Sequence, residues 1–562
     1  MEENIIQKPC AVQKIETSQG FSVSYKEHFL YSKYNPSKNI ITAVENLQLL
    51  PGTIILCYSP LLGYGLKELL QKLPDNCLLI LCEAEKELYD FTENEKCLDF
   101  TDSRVIKCQP EELNNFPLKL YDLAVSGSYK RVIRLDMSAG LQFQKEFYDS
   151  LYTACSNSVM TFWKNRITLT KFGRRYSKNL FENLHYLADS KPITDFFNSV
   201  EKPIIVFGAG ESTQTLLSSL RAQSAKQSII SNYFVICADT ALQPLLKNGI
   251  KPDGVFVEEA QSVISKAFIG IPKDIRIFAG LSSIPTLVHK FGSRNISYFF
   301  TEYAKGNFFD SLKQLSFMPP ANQPFGSVGL TAVYYALKFR KNENIPVYIT
   351  GLDFSYSTGL THTKGALAHI LRLNHSNRLQ AAQNYAAAYG TGTEKIIDKN
   401  GQTLITSPVL KNYAAMFKNI FAGKENLFDA GKSGIDLGLP HADIDCFVAN
   451  APRNDGRECT TLIDETSMAE SKRHCEAAGR GNPYTNEIKT FLQNEKNALE
   501  KLRDLLTGKT DLKNKELLEE IKKIAEPREY LYLHFADGWK FSTNQSFLNR
   551  IRTEIDFFLK FL

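Results

Sequence analysis

The feature of this sequence that most constrains its fold is a series of short apolar runs that each end in glycine or in an acidic residue. Between residues 200 and 360 the runs are PIIVFG (203–208), YFVICAD (233–239), DGVFVEE (253–259), IRIFAG (275–280) and PVYITGLDF (346–354). Helical patterns separate these runs, and this alternation predicts a parallel β-sheet with helices on both faces. The carboxyl ends of parallel strands share one edge, where open α/β sheets bind ligands. We therefore expect a ligand site that includes Gly208, Asp239, Glu259 and Asp353.

A similar but shorter alternation occurs near the N-terminus. The strand pattern TIILCY (53–58) is followed by a turn with Gly63 and Gly65, by a helix, and by a second strand pattern that ends at Glu83. This is the first half of a Rossmann-like unit, with an acidic residue where a ribose hydroxyl is held. A unit that has lost its ligand shows the same pattern, so nucleotide binding here is left open.

The length of the chain and the changes of pattern along it predict several domains. A chain of 562 residues is too long for a single core. The predicted fold class is α/β, with two Rossmann-like α/β domains and a helical C-terminal domain. The predicted segments are an N-terminal Rossmann-like domain (1–160), a helical connector (161–200), a central nucleotide-binding domain (201–452) and a helical C-terminal domain (453–562).

Composition excludes several classes of protein. The net charge of +5 is spread along the chain without a basic arm, so no nucleic-acid partner is expected. No apolar run approaches the ~20 residues that span a bilayer, so no membrane insertion is expected. The 11 cysteines are odd in number and form no C-x-x-C pair, which indicates buried free thiols in a reducing compartment. With a polar, acidic start, the sequence predicts a cytoplasmic protein.

The glycine loop FGAGES resembles a site for a nucleotide phosphate. Gly208 and Gly210 allow close approach of a phosphate, and the amides that follow, with the Ser212 hydroxyl, would donate hydrogen bonds to it. The third glycine of a dinucleotide fingerprint is replaced by Thr213. Glu211 is an awkward neighbour for an anion unless its side chain turns away.

Two further polar elements follow the predicted strands. Asp239 and Thr240 end a buried strand where a base or ribose would lie, although Asp239 could instead cap the next helix. Ser327 and Gly329 open a strongly apolar helix, which supplies a second amide-rich N-terminus. Two such termini suit the phosphate of a nucleoside monophosphate ester, or a diphosphate.

The loop SYSTGLTHTKGA (355–366) after Asp353 contains the candidate general base, His362. An imidazole near its ordinary pKa can take a proton from a hydroxyl. The alternative is that His362 is a structural histidine. The neighbouring His369 and His375 have spacings that fit no compact metal site.

Together these motifs resemble the motility-associated factor glycosyltransferases of bacteria, a group also described as 6-hydroxymethylpterin diphosphokinase MptE-like. The resemblance rests on FGAGES, CADTALQPLLKNGIKPDGVFVEE, GSVGLTA and TGLDFSYSTGLTHTKGA, and it covers most of residues 15–445. The stretch GSVGLTAVYYALKFRKNENIPVYITGLDF also resembles the CMP-holding helix and next strand of bacterial sialyltransferases, whose catalytic histidine lies where His362 falls. The sequence departs from the family at Glu211, where proline is usual, and at Glu259, where aspartate is usual.

This resemblance implies a central glycosyltransferase domain of the GT-A type that binds a nucleotide sugar. It implies transfer of a nonulosonic (sialic-acid-like) sugar from a CMP donor to Ser or Thr of flagellin, as needed for flagellar assembly and motility. The implied roles are phosphate binding by the amides at Gly208, Gly210, Glu211, Ser212, Ser327 and Gly329, nucleoside binding by Asp239 and Thr240, base catalysis by His362, loop orientation by Asp353, and sugar or cation binding by Glu259. No cofactor is fixed by the sequence; a divalent cation such as Mg²⁺ would be held by Glu259 or Asp239.

Two other functions remain open at this point. A pterin diphosphokinase would need ATP and Mg²⁺ held by carboxylates such as Asp239, Glu259 and Asp353, but the sequence has no lysine-bearing phosphate loop. A flagellin-binding chaperone or scaffold with a vestigial sugar site would need no catalysis.

Overall fold

A computed structural model of the chain describes residues 12–125, 129–222, 230–442, 484–508 and 514–562. The chain divides into two compact units. The first contains Met1–Gly173 and Tyr532–Ser542, and the second contains Arg174–Leu531 and Thr543–Leu562.

The first unit is built on a parallel sheet of four strands in the order β6-β5-β4-β7, beside an antiparallel sheet of β1, β2 and β3. The strands are β1 (Gln13–Thr17), β2 (Gly20–Tyr25), β3 (His28–Phe29), β4 (Thr53–Tyr58), β5 (Leu78–Cys82), β6 (Val105–Cys108) and β7 (Arg131–Asp136). The helices are α1 (Lys38–Asn46), α2 (Leu66–Lys72), α3 (Lys86–Glu95), α4 (Phe116–Val125) and the first part of α5 (Lys145–Leu187). All six residues of β4 are buried because alternate side chains pack into two different apolar clusters, one on each face of the sheet.

The second unit contains an eight-stranded sheet in the order β13-β12-β11-β10-β9-β8-β14-β17. Its strands are β8 (Ile204–Phe207), β9 (Phe234–Ala238), β10 (Gly254–Val257), β11 (Arg276–Gly280), β12 (Ile296–Thr301), β13 (Ala321–Asn322), β14 (Val347–Thr350) and β17 (Leu427–Asp429). Every neighbouring pair is parallel. The chain moves outward from β8 to β13 and then returns to the other side of β8, so the strand order reverses between β8 and β14. Ligands bind at such switch points.

The second unit also contains eleven α-helices in its described residues, and a hairpin of β15 (Glu394–Ile397) and β16 (Thr403–Thr406). The helices are α6 (Glu211–Ala222), α7 (Asp239–Lys247), α8 (Leu287–Phe291), α9 (Asn307–Lys313), α10 (Val328–Phe339), α11 (Leu367–His375), α12 (Tyr385–Ala388), α13 (Pro408–Phe421), α14 (Tyr484–Leu506), α15 (Asn514–Ala525) and α16 (Gln545–Phe558). Helix α10 is apolar on nearly all sides, and 8 of its residues are buried. Its aromatic residues stack on phenylalanines of β10 and β12 in the main core.

The predicted α/β fold class is confirmed, and each apolar run of the second unit is a strand. The domain boundaries stay predictions. The boundary at residue 160 falls inside α5, and the boundary at residue 452 lies outside the described residues. None of the described helices is long and apolar enough to cross a membrane. All 7 cysteines of the described ranges are free thiols, as the sequence predicts.

Just past their paired residues, the ends of β8 and β14 are in close contact through glycine backbone. The Gly208 amide donates to the Thr350 carbonyl at 2.7 Å, and the Gly210 amide donates to the Gly351 carbonyl at 2.8 Å. A Cβ on Gly208 would lie 2.2 Å from the Gly351 oxygen, and a Cβ on Gly351 would lie 2.3 Å from the Gly208 oxygen. Neither position has room for a side chain.

Gly351→Ala is expected to destabilise the protein more than Gly249→Ala. Gly351 has a φ of +74° and Gly249 of +71°, so alanine at either position is strained by about 1–2 kcal/mol. A Cβ at Gly249 meets no described atom within 4 Å, whereas one at Gly351 lies 2.2 Å from Thr213 Oγ1. Overpacking of this kind adds about 1–3 kcal/mol. Thermal unfolding followed by circular dichroism measures the difference, and equal midpoints would contradict the close packing.

Candidate active site

A pocket of about 280 Å³ opens at the switch point of the second unit. It is lined by the loops after β8, β9 and β14 and by the start of α10. The lining residues are 208–210, 238–240, 327–329 and 351–356, together with Thr361, His362 and Leu410. The fold therefore brings together most of the predicted site residues. Glu211, Ser212 and Glu259 do not line this pocket.

Asp353 links β14 to the beginning of α6. The Ser212 amide donates to Asp353 Oδ2 at 2.7 Å, and the Ser212 hydroxyl donates to Asp353 Oδ1. The same hydroxyl accepts a hydrogen bond from the Gly351 amide at 2.8 Å. Both carboxylate oxygens are thus engaged inside the protein, and burial raises the pKa of Asp353 to about 6. The role of Asp353 in orienting the loop that follows it stays a prediction.

The amides of the glycine loop are largely engaged by the same junction. Gly208, Gly210 and Ser212 donate to Thr350, Gly351 and Asp353, respectively. A Cβ on Gly210 would lie 2.6 Å from Asp353 Oδ2. These glycines are therefore needed for the contact between β8 and β14, and the phosphate of a nucleotide needs other donors.

Glu211 turns towards the loop that carries His362. Its carboxylate accepts hydrogen bonds from the Ser357 amide at 3.1 Å and from the Ser357 hydroxyl at 3.0 Å. The buried Thr363 fixes the other end of the loop, since its amide donates to the Ala209 carbonyl at 2.8 Å. The sequence assigned the Glu211 amide to phosphate binding but gave its side chain no role, because the partner of that side chain is distant in the chain.

His362 lies half-buried in the wall of the pocket. Its Nδ1 is 3.1 Å from Thr361 Oγ1, and its Nε2 has no hydrogen-bond partner among the described residues. Burial lowers the pKa of His362 below its usual value of 6.5. The imidazole is therefore neutral at neutral pH, which is the state that a general base requires.

Asp239 is a buried carboxylate in the wall of the pocket. Its side chain is 3% exposed. Oδ1 accepts a hydrogen bond from Thr240 Oγ1 at 2.8 Å, while the buried Oδ2 has no hydrogen-bond partner among the described residues. Burial raises the pKa of Asp239 to about 6. Asp239 is the first residue of α7, and the helix has no side-chain cap. An unpartnered buried carboxylate oxygen is costly and is typical of a ligand site.

Ser327 and Gly329 place the open end of α10 at the pocket. Ser327 precedes the helix, and its side chain makes no capping hydrogen bond. The amides of Leu330 and Thr331 donate to the Ser327 carbonyl. The amides of Val328 and Gly329 belong to the first turn of the helix, so they have no acceptor within it. An anion is stabilised at such a terminus.

Glu259 lies outside this pocket, and its carboxylate accepts a hydrogen bond from the Gln261 amide at 2.8 Å. Its neighbour Glu258 received no role from the sequence. It accepts from Thr301 Oγ1 at 2.6 Å and from Thr331 Oγ1 at 2.7 Å, and so joins β10 to β12 and α10. In the ranges that the structure describes, no group of three or more His, Cys, Asp or Glu residues is arranged to hold a metal ion. The binding of a cation by Asp239 or Glu259 stays a prediction.

The corresponding acidic residue of the first unit is bonded within that unit. Glu83 is 3% exposed and follows β5. It accepts hydrogen bonds from Ser59 Oγ at 2.7 Å, from Tyr148 Oη at 3.1 Å and from the Glu85 amide at 3.1 Å. Burial raises its pKa to about 7. The carboxylate that would hold a ribose thus has three protein donors of its own.

The fold and the pocket define an α/β protein with a pocket at the switch point of a parallel sheet. The chain is similar in fold to the solved structure of the MAf glycosyltransferase from Magnetospirillum magneticum AMB-1, with a TM-score of 0.53 and 12% identity over 99% of this chain and 91% of that one.

Sequence comparison defines the family. The protein-family model described as "6-hydroxymethylpterin diphosphokinase MptE-like" matches residues 178–359. An uncharacterised protein of Treponema pallidum (strain Nichols) is 30% identical, over 98% of this chain and 94% of that protein. The chain belongs to the MptE-like family, and the resemblance drawn from its motifs is confirmed.

Asp239→Asn is expected to stabilise the protein in a pH-dependent way. The folded-state pKa of about 6 exceeds the ordinary 3.8, so the ionised carboxylate costs stability above about pH 6 and nothing below about pH 4. Asparagine carries no charge, so its advantage over aspartate should grow with pH, to at most about 3 kcal/mol. Thermal midpoints between pH 4 and 8 test this, with the exposed Asp195→Asn as control. A difference that does not vary with pH would contradict the assignment.

Proposed function

We propose that this protein is a glycosyltransferase that moves a nonulosonic sugar from a CMP donor to a Ser or Thr hydroxyl of flagellin, and so supports flagellar assembly and motility. One observation carries the proposal. A single cavity contains a neutral histidine, the open N-terminus of a helix and an unpaired buried carboxylate oxygen. The likeness of the fold to a MAf glycosyltransferase supports this class of reaction.

The donor's phosphate is assigned to the start of α10. The amides of Val328 and Gly329 and the Ser327 hydroxyl lie at the positive end of the helix dipole. When the bond between the sugar and the phosphate breaks, negative charge increases on the CMP oxygen. A fixed set of donors at this point stabilises that charge in the transition state.

The nucleoside is assigned to Asp239 and Thr240. Asp239 Oδ2 is an acceptor without a donor among the described residues. The exocyclic amino group of cytosine and the ribose hydroxyls are donors that would satisfy it. Binding would then recover the free energy that the buried oxygen loses in the unliganded protein.

His362 acts as the base. Its Nδ1 lies within hydrogen-bond distance of Thr361 Oγ1. If Thr361 Oγ1 is the acceptor, the ring proton is on Nδ1, and the lone pair of Nε2 is then available to the substrate. Nε2 takes the proton of the acceptor hydroxyl as that oxygen bonds to the anomeric carbon. The bond from this carbon to the donor oxygen breaks, its electron pair leaves with CMP, and the configuration inverts. Each of these steps balances without a metal ion.

CMP without metal is expected to raise the thermal midpoint of the protein. A ligand at a hundred times its Kd adds about 2.7 kcal/mol of stability. Asp239→Asn should lose much of this response because it removes the charge and replaces one of the two acceptor oxygens by an amide donor, whereas Asp195→Asn should keep it. A panel of CMP, CTP, ATP and GTP, each with and without Mg²⁺, measures the preference. Stabilisation by ATP with Mg²⁺ and none by CMP would contradict the proposal and favour a diphosphokinase.

His362→Ala is expected to slow transfer to flagellin by about 10²–10⁴-fold, the usual contribution of a general base, while CMP still stabilises the variant. His289→Ala is the matched control, since His289 is exposed and does not line the pocket. Because burial lowers the pKa of His362, the wild-type rate should stay at its plateau at pH values somewhat below 6.5 and then fall in acid.

Intact-mass spectrometry of flagellin incubated with donor and enzyme measures the transfer. Flagellin from a strain that lacks the gene, complemented by each variant, gives the same comparison in cells. Unchanged flagellin mass in the deletion strain would contradict the proposal and favour a chaperone or scaffold.

A further inference from the structure

Residues 364–393 form a segment, here called the arm, that presents apolar side chains to solvent beside the active-site loop. The arm contains α11 and α12, and none of the nine residues of α11 is buried. Of the 16 large apolar side chains that are exposed in the described part of the chain, 4 lie within these thirty residues. They are Leu373 (47% exposed), Leu379 (97%), Tyr385 (47%) and Tyr389 (76%).

The arm also has a charge of one sign. From Phe354 to Thr393 the sequence contains no Asp or Glu, whereas it contains Lys364, Arg372 and Arg378. Lys364 and Arg378 are exposed. A surface that combines apolar side chains with unopposed positive charge is complementary to a partner that carries apolar side chains and carboxylates.

Hydrogen bonds to the backbone of the arm and from it attach the arm to the wall of the pocket. The Tyr356 hydroxyl donates to the Ala387 carbonyl at 2.8 Å, and the Asn384 amide donates to the Gly359 carbonyl at 2.7 Å. Tyr356 lines the pocket, and Gly359 lies in the loop that carries His362. The arm is thus continuous with the side of the pocket that holds the base, and the acceptor hydroxyl must reach that side.

The occupant that these features favour is a polypeptide rather than a membrane. Membrane surfaces attract clusters of about four to eight exposed cations. In the arm, the Arg372 guanidinium instead donates to the Gln383 carbonyl at 2.7 Å and to the Ala382 carbonyl at 3.1 Å, and so holds the arm's own backbone. Lys364 and Arg378 are then the exposed Lys and Arg side chains that remain in it.

We infer that the arm is the docking surface for the acceptor, and that the acceptor segment is a polypeptide in which acidic and apolar residues flank the modified hydroxyl. This inference rests on the proposed function for the identity of the reaction, but it concerns a different surface. It assigns recognition of the acceptor to residues that do not line the donor pocket.

Fluorescence anisotropy with two short peptides tests the inference on the full-length protein. One peptide places Asp and Leu on both sides of a Ser, and the other replaces each Asp by Lys. The acidic peptide should bind at least tenfold more tightly than the basic one and should weaken as salt increases. Leu379→Asp and Tyr389→Asp should each weaken it about tenfold, the effect of losing one well-placed apolar contact and adding a like charge. Ile269→Asp, at a 70% exposed position outside the arm, should leave it unchanged.

Several results would overturn the inference. Two of them concern the peptides: equal binding of the acidic and the basic peptide, or unchanged binding of the acidic peptide by both arm variants. The other two concern a different occupant: binding of the protein to anionic phosphatidylglycerol vesicles in place of the peptide, or self-association in gel filtration that either arm variant abolishes. If an acidic variant fails to fold, binding of the acidic peptide to the milder variant Leu379→Gln is measured instead. If CMP does not raise the thermal midpoint of the wild-type protein but the protein binds the acidic peptide, the proposed reaction is refuted and the docking surface is not.

Discussion

The active-site geometry depends on the junction between Ser212 and Asp353. Two hydrogen bonds from one serine hold a buried carboxylate where the strand order of the sheet reverses. The serine hydroxyl also accepts the Gly351 amide, so the ends of β8 and β14 and the start of α6 become one rigid element. A buried carboxylate that kept only one of these partners would be costly. The junction therefore fixes the strand ends from which the loop with His362 departs.

The polar residues of this edge consequently divide into two sets. Ser212, Asp353 and Glu211 satisfy one another or the backbone, and they hold the framework. Asp239 and His362 keep an atom without a partner among the described residues, and both face the cavity. Unsatisfied buried groups are a stability cost that functional sites retain. We therefore place ligand chemistry on the second set.

Strand periodicity and glycine or acidic strand ends were sufficient to predict the α/β fold and the edge at which the pocket opens. They were not sufficient to separate ligand donors from structural donors. The motif FGAGES suggested phosphate amides, yet the Gly208 and Gly210 amides bind β14, a strand about 140 residues later in the chain. The partner of Glu211 is equally distant. Local patterns do not contain such pairings, because tertiary contacts decide which polar group is already satisfied.

Hydrogen–deuterium exchange in the presence and absence of CMP tests the central claim most directly, because it locates the nucleotide. The amides of Val328 and Gly329 lie in the first turn of α10 and should exchange fast in the unliganded protein. CMP should slow exchange in peptides that cover residues 326–330 and 355–366, and leave β4 and β5 unchanged. Protection confined to the first unit or to α14–α16, or no protection at saturating CMP, would contradict a nucleotide site at the switch point.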